Sequence, residues 1–207
     1  MQASFPRVKL GPGRFEAQGG GVVTAFGGSV TIGDIVGEDV LSRYPRFDLS
    51  ATLRGIDLAG VTRTLGFGEM TGFVDGEIDD LLMVGGVPVR FEATLRSVDE
   101  RRESRTVNVK AVNNLTVLGT GSPGVLDRGI TRFFDRFTYD RLGIRMSLAD
   151  DRFTLRGLEK RGERELFLKG RLPAPIDIVN GDPGRAVSFK AMLRRFQELD
   201  LSKVRME

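Results

Sequence analysis

One phrase occurs three times in this chain. Leu follows Thr and precedes Arg in Ala51-Thr52-Leu53-Arg54-Gly55-Ile56-Asp57, in Ala93-Thr94-Leu95-Arg96-Ser97-Val98-Asp99 and in Phe153-Thr154-Leu155-Arg156-Gly157-Leu158-Glu159. A small residue, an aliphatic and an acid follow each time. The middle copy ends a run from Pro88 in which Val89, Phe91, Ala93 and Leu95 alternate with Arg90, Glu92, Thr94 and Arg96. That is the period of a strand with one apolar and one wet face. The phase agrees in the other copies: Phe47, Leu49, Ala51 and Leu53 share a face, as do Phe153 and Leu155. Met146 and Leu148 alternate in the same way just upstream of the last copy. A chain that repeats one strand design builds a wide sheet with a continuous apolar surface, and function turns on what covers that surface.

The remaining segments fit a mainly β chain. Short strands are expected over Phe5 to Leu10, Arg14 to Ala17 and Val22 to Ile35, the last broken at Gly27-Gly28, with Val30 and Ile32 on one face. Glu38 to Tyr44 reads as a loop or a single helical turn. Asp57 offers an N-cap to a short helix with Leu58, Val61 and Leu65 on one side and Gly66 as its stop. Two long strands turn at Gly85-Gly86. Asp99 to Ser104 is a charged connection, after which the alternation of Val107, Val109 and Ala111 predicts a resumed strand. Leu126, Ile130, Phe133, Phe134 and Phe137 form one helical stripe. Strands over Leu142 to Leu148, Phe153 to Leu158 and Glu165 to Lys169 turn at Ala149-Asp150-Asp151 and Lys160-Arg161-Gly162. A short strand at Ile176 to Val179 and a helix capped by Ser188, with Phe189, Met192, Leu193 and Phe196 on one face, end the chain. No Pro-, Ser- or Gly-rich linker divides residues 1–207, so a single unit is expected.

Composition closes several routes to chemistry. The chain has no His and no Cys, which removes Ser-His-Asp and Cys-His catalysis, His or thiolate zinc sites and disulfides. A net charge of +3 without a basic run gives no argument for nucleic acid. No apolar stretch approaches the ~20 residues of a membrane span, and the start lacks the apolar core of a signal peptide. Gly119-Thr120-Gly121-Ser122-Pro123-Gly124 matches G-x-G-x-x-G, and a nucleotide-binding enzyme would use it to approach a pyrophosphate. A dinucleotide fold, however, needs several strand–helix–strand units, and here hairpins surround the motif. Asp79-Asp80 and Asp150-Asp151 are adjacent carboxylates, which on a strand point to opposite faces and between strands are common turn residues. No catalytic residue, cofactor or metal ligand is assigned.

Roughly ten strands at about 4.8 Å each make a sheet ~45–50 Å wide, and three helices ~10 Å across cannot roof it. The excess must be closed into a barrel, folded over, covered by another chain or filled by a ligand.

Segment order adds a resemblance. Gly66 to Gly76 before the Pro88 strand, Asn108 to Gly119, Arg132 to Ile144, Lys169 to Asn180 and the amphipathic end together resemble the C-terminal part of large AsmA-like envelope proteins of the YdbH and TamB-like branches, over residues 46–198. The resemblance implies an extended, curled antiparallel sheet, an open groove or half-pipe, with two or three short amphipathic helices. It implies a non-enzymatic segment that shields phospholipid acyl chains in transit between inner and outer membranes, in the periplasm of a double-membraned bacterium. Residues 1–207 would then be the end of a longer chain anchored upstream in the inner membrane, with Met1 added to that piece. It also implies a sheet edge open to a strand from a small envelope protein. The expected acyl-chain contacts are Phe47, Leu49, Ala51, Leu53, Val89, Phe91, Ala93, Leu95, Met146, Leu148, Phe153 and Leu155, with Arg and Lys at the rim. The alternative is a self-contained interaction domain whose own helices bury the apolar face and whose partner adds to an edge strand.

Overall fold

The structure is a computed structural model that describes residues 2–99, 105–120, 135–162, 164–172 and 177–194; side chains at 2–6 and 118–120 fall outside that description. The chain opens as an antiparallel meander of β1 (Gln2–Gly11), β2 (Arg14–Ala25), β3 (Gly28–Glu38), β4 (Arg46–Asp57), β5 (Phe73–Val84) and β6 (Val87–Ser97), each paired with the next. Helix α1 (Leu58–Thr64) links β4 to β5. Then follow β7 (Thr106–Asn108), α2 (Val109–Thr120), β8 (Arg136–Ala149), β9 (Arg152–Gly157), β10 (Glu159–Arg161), β11 (Arg164–Gly170), β12 (Ile178–Asn180) and β13 (Ala186–Ser188). Residues 189–194 are helical, here α3. The fold is a large, open antiparallel sheet with short helices, not closed into a barrel, in agreement with the half-pipe expectation.

Long β8 divides the molecule. Its residues 143–149 pair with β6 on one side, and 144–149 pair with β9 on the other, extending the meander. Its first half pairs instead with β7 and β11, and β11 carries β10 and β12. The chain therefore turns back on itself past β6, and α2 lies against β9, β12 and β13. The buried core gathers at this end, with Val107, Ala111, Leu115, Tyr139, Leu148, Leu155, Phe167 and Leu168 all below 5% exposed. Among the described side chains, none from β1 or β2 belongs to that cluster.

Local chemistry explains the elements. Gly85 (φ 58°) and Gly86 (φ 80°) make the two-residue turn whose twist suits a hairpin. Asp150 (φ 50°) and Asp151 (φ 64°) do the same between β8 and β9. Asp57 caps α1 through the Ala59 N–H at 2.9 Å. Register shifts recur at residues 17–21 of β2, 32–35 of β3 and, beyond β4, 79–82 of β5. Such bulges bend and twist the sheet. Asp34 Oδ1 accepts the Gly19 N–H inside the first of them at 2.9 Å, which gives that donor a partner outside the strand ladder.

Four expectations are corrected. The run from Val22 to Ile35 is parts of two strands, with Phe26-Gly27 as the hairpin turn. The strand resuming at Thr106 stops at Asn108, whose Oδ1 accepts the Ala111 N–H (2.9 Å) and starts α2. Ala111, Val112 and Leu115 are buried at helical spacing, and that burial outweighs the alternation of Val107, Val109 and Ala111. Phe137 lies in β8 opposite Val107, not on a helix; Leu126 to Phe134 lie outside the described residues. Leu65 ends α1 with 64% of its surface exposed, and α1 buries Leu58 and Thr62 instead.

The closed end depends on close backbone approach. A Cβ at Gly157 would sit 2.3 Å from the Leu166 carbonyl oxygen and 2.7 Å from its nitrogen, where β9 crosses β11. Gly157→Ala should therefore destabilise the protein by about 1–3 kcal/mol in denaturant unfolding, the range of overpacking; a change within ~0.5 kcal/mol would refute the crossing.

Candidate functional site

The register carries the apolar residues of successive strands into rows on one face. One row runs Gly21, Ile32, Ala51, Ile78, Ala93, Met146, Leu155 from β2 to β9. A second runs Val23, Val30, Leu53, Gly76, Leu95, Ile144. Toward the hairpin end, Val8, Ala17, Ile35, Leu49 and Leu81 align, as do Leu10, Phe15, Gly37, Phe47 and Met83. Phe91, Leu148, Phe153 and Val187 continue the edge of this face across β6, β8, β9 and β13.

The opposite face is wet. Arg54 pairs with Asp75 and Arg90 with Asp48, each at 3.2 Å and well exposed. Pairs this exposed contribute little stability, and what they do is keep that face in water.

The apolar face is covered unequally. Leu148, Phe153 and Leu155 are 2–3% exposed, so three of the twelve expected contact residues lie in the core with no surface to offer a ligand. Phe91, Leu95, Met146 and Leu53 pack against that core and are partly buried. Ala51 and Ala93 are buried small residues between larger neighbours. Phe47 and Leu49 are half-buried and outside the core cluster, and Val89 is exposed. The extensive contacts of β1, β2 and β3 are all with neighbouring strands, and among the described residues no helix lies broadly across them. The expected set thus splits: its β8 and β9 members belong to the sealed end, and its β4 members begin the open one.

The open end also holds residues that strand alternation alone does not mark. Ile35 is in register with Ala17 and Leu49, yet lies an odd number of positions from Ile32 because a bulge intervenes. Leu81 is displaced from Ile78 in the same way by the bulge at Asp79-Asp80, where Asp80 has φ 50°. Phe15 and Phe47 lie 6.2 Å apart across Gly37. A Cβ on Gly37 would fall 2.2 Å from the Phe15 ring, so the glycine is what lets the aromatic ring lie over β3.

An aromatic cluster marks the boundary between the two ends. The Phe189 ring of α3 is 6.4 Å from Phe91 and 5.9 Å from Phe153. Beside it a cleft of about 560 Å³ has Val87, Pro88, Val89, Leu148 and Phe189 in its walls, with Arg90, Asp150, Asp151 and Lys190 at the rim. That size falls within the usual range of small-molecule sites. Asp151 fastens α3 there: its carboxylate accepts the Ser188 hydroxyl (2.7 Å) and the Lys190 N–H (2.8 Å). Ser188 in turn accepts the Ala191 N–H at 3.1 Å, as an N-cap does. The Lys190 N–H and then the Ser188 hydroxyl hold the Asp151 carboxyl below its ordinary value.

The other motifs do not assemble into chemistry. Asp79 and Asp80 are exposed in a bulge, and Asp150 and Asp151 form a turn. Gly119 and Thr120 end α2, so a helix rather than a strand leads into the glycine segment, whose remainder lies outside the described residues. Among the described residues no group of three or more acids could hold a metal ion. Also among them, no helix is long and apolar enough to cross a membrane. Burial pushes up the phenol of Tyr139, whose hydroxyl donates to the Thr71 carbonyl at 2.6 Å, a structural bond.

No protein family matches the chain, and no curated protein or solved structure is significantly similar to it.

Two predictions follow from the split face and its fastening. Leu155→Ala should cost about 2–5 kcal/mol in denaturant unfolding, whereas Leu49→Ala should cost under about 1 kcal/mol, as a poorly covered side chain does; equal costs would mean the open end is sealed. The folded pKa of Asp151 lies below its unfolded value, so its contribution is full above the ordinary aspartate range and is lost as pH falls through the folded value. Amide signals of α3 should therefore hold from neutral pH down to that range and shift below it, and Asp151→Asn should remove this acid limb. A shift between neutral pH and the aspartate range that survives Asp151→Asn would contradict the assignment.

Proposed function

We propose that this chain is a non-enzymatic lipid-shielding segment, in which the open rows of β1 to β5 hold acyl chains against one face of the sheet. The observation that carries the reading is the continuity of that face: the same rows that form a dry core at β8 and β9 run on into β2 to β4, where no described helix lies broadly across them. Leu10 is 83% exposed and Val8 53% at the far end of these rows. Apolar surface costs about 25 cal/mol per Å² in water, and contiguous patches of several hundred Å² mark binding surfaces. A hydrocarbon tail suits such a strip better than a polar solute, because the rows offer long apolar lanes and little hydrogen bonding. Phe47 and Leu49, with Ile35 and Leu81 beside them, are the inner contacts, and Val89 and Phe91 border the lane at the α3 boundary.

The setting follows from the segment-order resemblance: a periplasmic groove, carried by a longer chain anchored in the inner membrane, that supports phospholipid movement toward the outer membrane. On this reading the sealed end made by β7 to β13, α2 and α3 terminates the lane. A second reading rests on a separate observation. Among the described residues β1 pairs only with β2, so a partner strand could add along its other side and use main-chain hydrogen bonds.

Uptake of a fluorescent phospholipid, with native mass spectrometry of protein purified from membrane-rich cells, tests the main reading. Ile35→Asp and Leu49→Asp should abolish uptake and leave the circular dichroism spectrum unchanged, while Glu77→Ala on the wet face should take up lipid normally. Protein that carries no lipid and takes none up, or folded Asp variants that load like the parent, would end the proposal.

A further inference from the structure

Three turns of the meander lie side by side at one end of the sheet. The register sets Arg14 opposite Glu38, Glu38 opposite Arg46 and Arg46 opposite Val84. The turn after β1, the loop between β3 and β4 and the turn between β5 and β6 therefore adjoin. They are also in touch: a Cβ at Gly13 would lie 4.0 Å from Asp39 Oδ1, and one at Gly85 would lie 3.1 Å from the Tyr44 ring. The Gly85 N–H donates to the Pro45 carbonyl at 2.9 Å, which ties the second turn to the third.

These tips hold apolar side chains out into water. Residues 39–42 form a hydrogen-bonded turn, with the Ser42 N–H on the Asp39 carbonyl at 2.8 Å and Leu41 at a central position. Such positions ordinarily take Gly, Pro, Asn, Asp or Ser, yet Leu41 is 96% exposed. Leu10 before the first turn, Tyr44 in the same loop and Val87 after the third turn are exposed as well. Exposed apolar residues scattered singly need no explanation, but a row on adjoining tips does.

The charges narrow the choice of partner. Arg14 holds both Glu16 and Glu38, and Arg90 holds Asp48. Lys9, Arg43 and Arg46 are exposed and have no carboxylate partner among the described residues, against one acid of these turns, Asp39, with no cation on it. The Arg43 guanidinium lies over the Tyr44 ring, 5.6 Å from its centre. Protruding leucines beside a tyrosine and unpaired cations suit the headgroup layer of a bilayer, where apolar tips reach the acyl boundary and cations meet phosphates. Val87 also lines the cleft at Phe189, so these tips are continuous with the border of the apolar lane.

We propose that these three turns dock on the surface of an anionic bilayer, with Leu41 and Leu10 entering the headgroup layer and Lys9, Arg43 and Arg46 meeting lipid phosphates. The contact rests on the lipid-shielding reading for its purpose, since it brings the lane to a source of acyl chains. Co-sedimentation with vesicles of phosphatidylglycerol and phosphatidylethanolamine, set against phosphatidylcholine vesicles, tests it. The protein should be retained on the first and not on the second.

Leu41→Asp should weaken retention at least about tenfold, the effect of withdrawing one buried leucine. Arg43→Gln combined with Arg46→Gln should weaken it about tenfold. Leu65→Asp, at the end of α1 on the opposite end of the sheet, should leave it unchanged. The chain has no Trp, so Leu41→Trp supplies a sole indole, whose emission should move to shorter wavelength on anionic vesicles while that of Leu65→Trp stays fixed. This readout decides the matter if Leu41→Asp proves misfolded by circular dichroism. No retention, equal retention on phosphatidylcholine, an equal loss in Leu65→Asp or an unmoved Leu41→Trp emission overturns the proposal. A short-chain fluorescent phospholipid below its micellar concentration loads the lane without a membrane, so Leu41→Asp should load like the parent and Leu49→Asp should still bind vesicles. Loading without vesicle binding by the parent overturns the docking alone, and vesicle binding without loading overturns the lane alone.

Discussion

The pairing register of β4, β5, β6 and β8 is the constraint on which the rest of the structure depends. Ala51 faces Ile78, Ile78 faces Ala93 and Ala93 faces Met146, so one apolar face forms without a break. A slip of one residue on any of these strands would turn its apolar set into water. The bulges protect that register as much as they bend it. Each inserts a residue where strict alternation would otherwise drift to the wrong face, as between Ile32 and Ile35 or between Ile78 and Leu81.

The same face then meets two fates along the chain. At β8 and β9 it is shut by α2, α3 and the strands that return across it, and Phe167, Leu168 and Ile178 complete a dry interior. At β1 to β3 the extensive contacts among the described residues are with neighbouring strands in the plane of the sheet. Two buried polar side chains of the closed end, Asn180 and Glu165, find partners across it. Asn180 gives its Nδ2 to the Leu155 carbonyl at 2.9 Å, and Glu165 holds Arg156 at 2.7 Å while accepting the Gly157 N–H. These bonds fix the return strands over β9 and help keep that end closed.

Much of this was legible in the sequence because it is local. The Thr-Leu-Arg strands, the Gly85-Gly86 and Asp150-Asp151 turns and the Asp57 and Ser188 caps all express chemistry within a few residues. The pattern failed where distant contacts decide. Val107 to Ala111 alternates like a strand, yet burial of Ala111, Val112 and Leu115 makes most of it helix. The face of the binding candidates was readable, but their cover was not. Leu155 and Leu53 occupy equivalent places in the repeated phrase, and only the returning strands and helices bury the first more deeply than the second. Ile35 and Leu81 were hidden by bulges that break the period-two rule.

The absence of cysteine from the chain makes the central claim open to direct test. Single cysteines at Leu49, Leu155 and Glu77, carrying a polarity-sensitive fluorophore, would be exposed to a phospholipid with a nitroxide on its acyl chain. The account predicts strong quenching at Leu49→Cys and little at Leu155→Cys or Glu77→Cys. Quenching at Leu49→Cys no greater than at Glu77→Cys would contradict it.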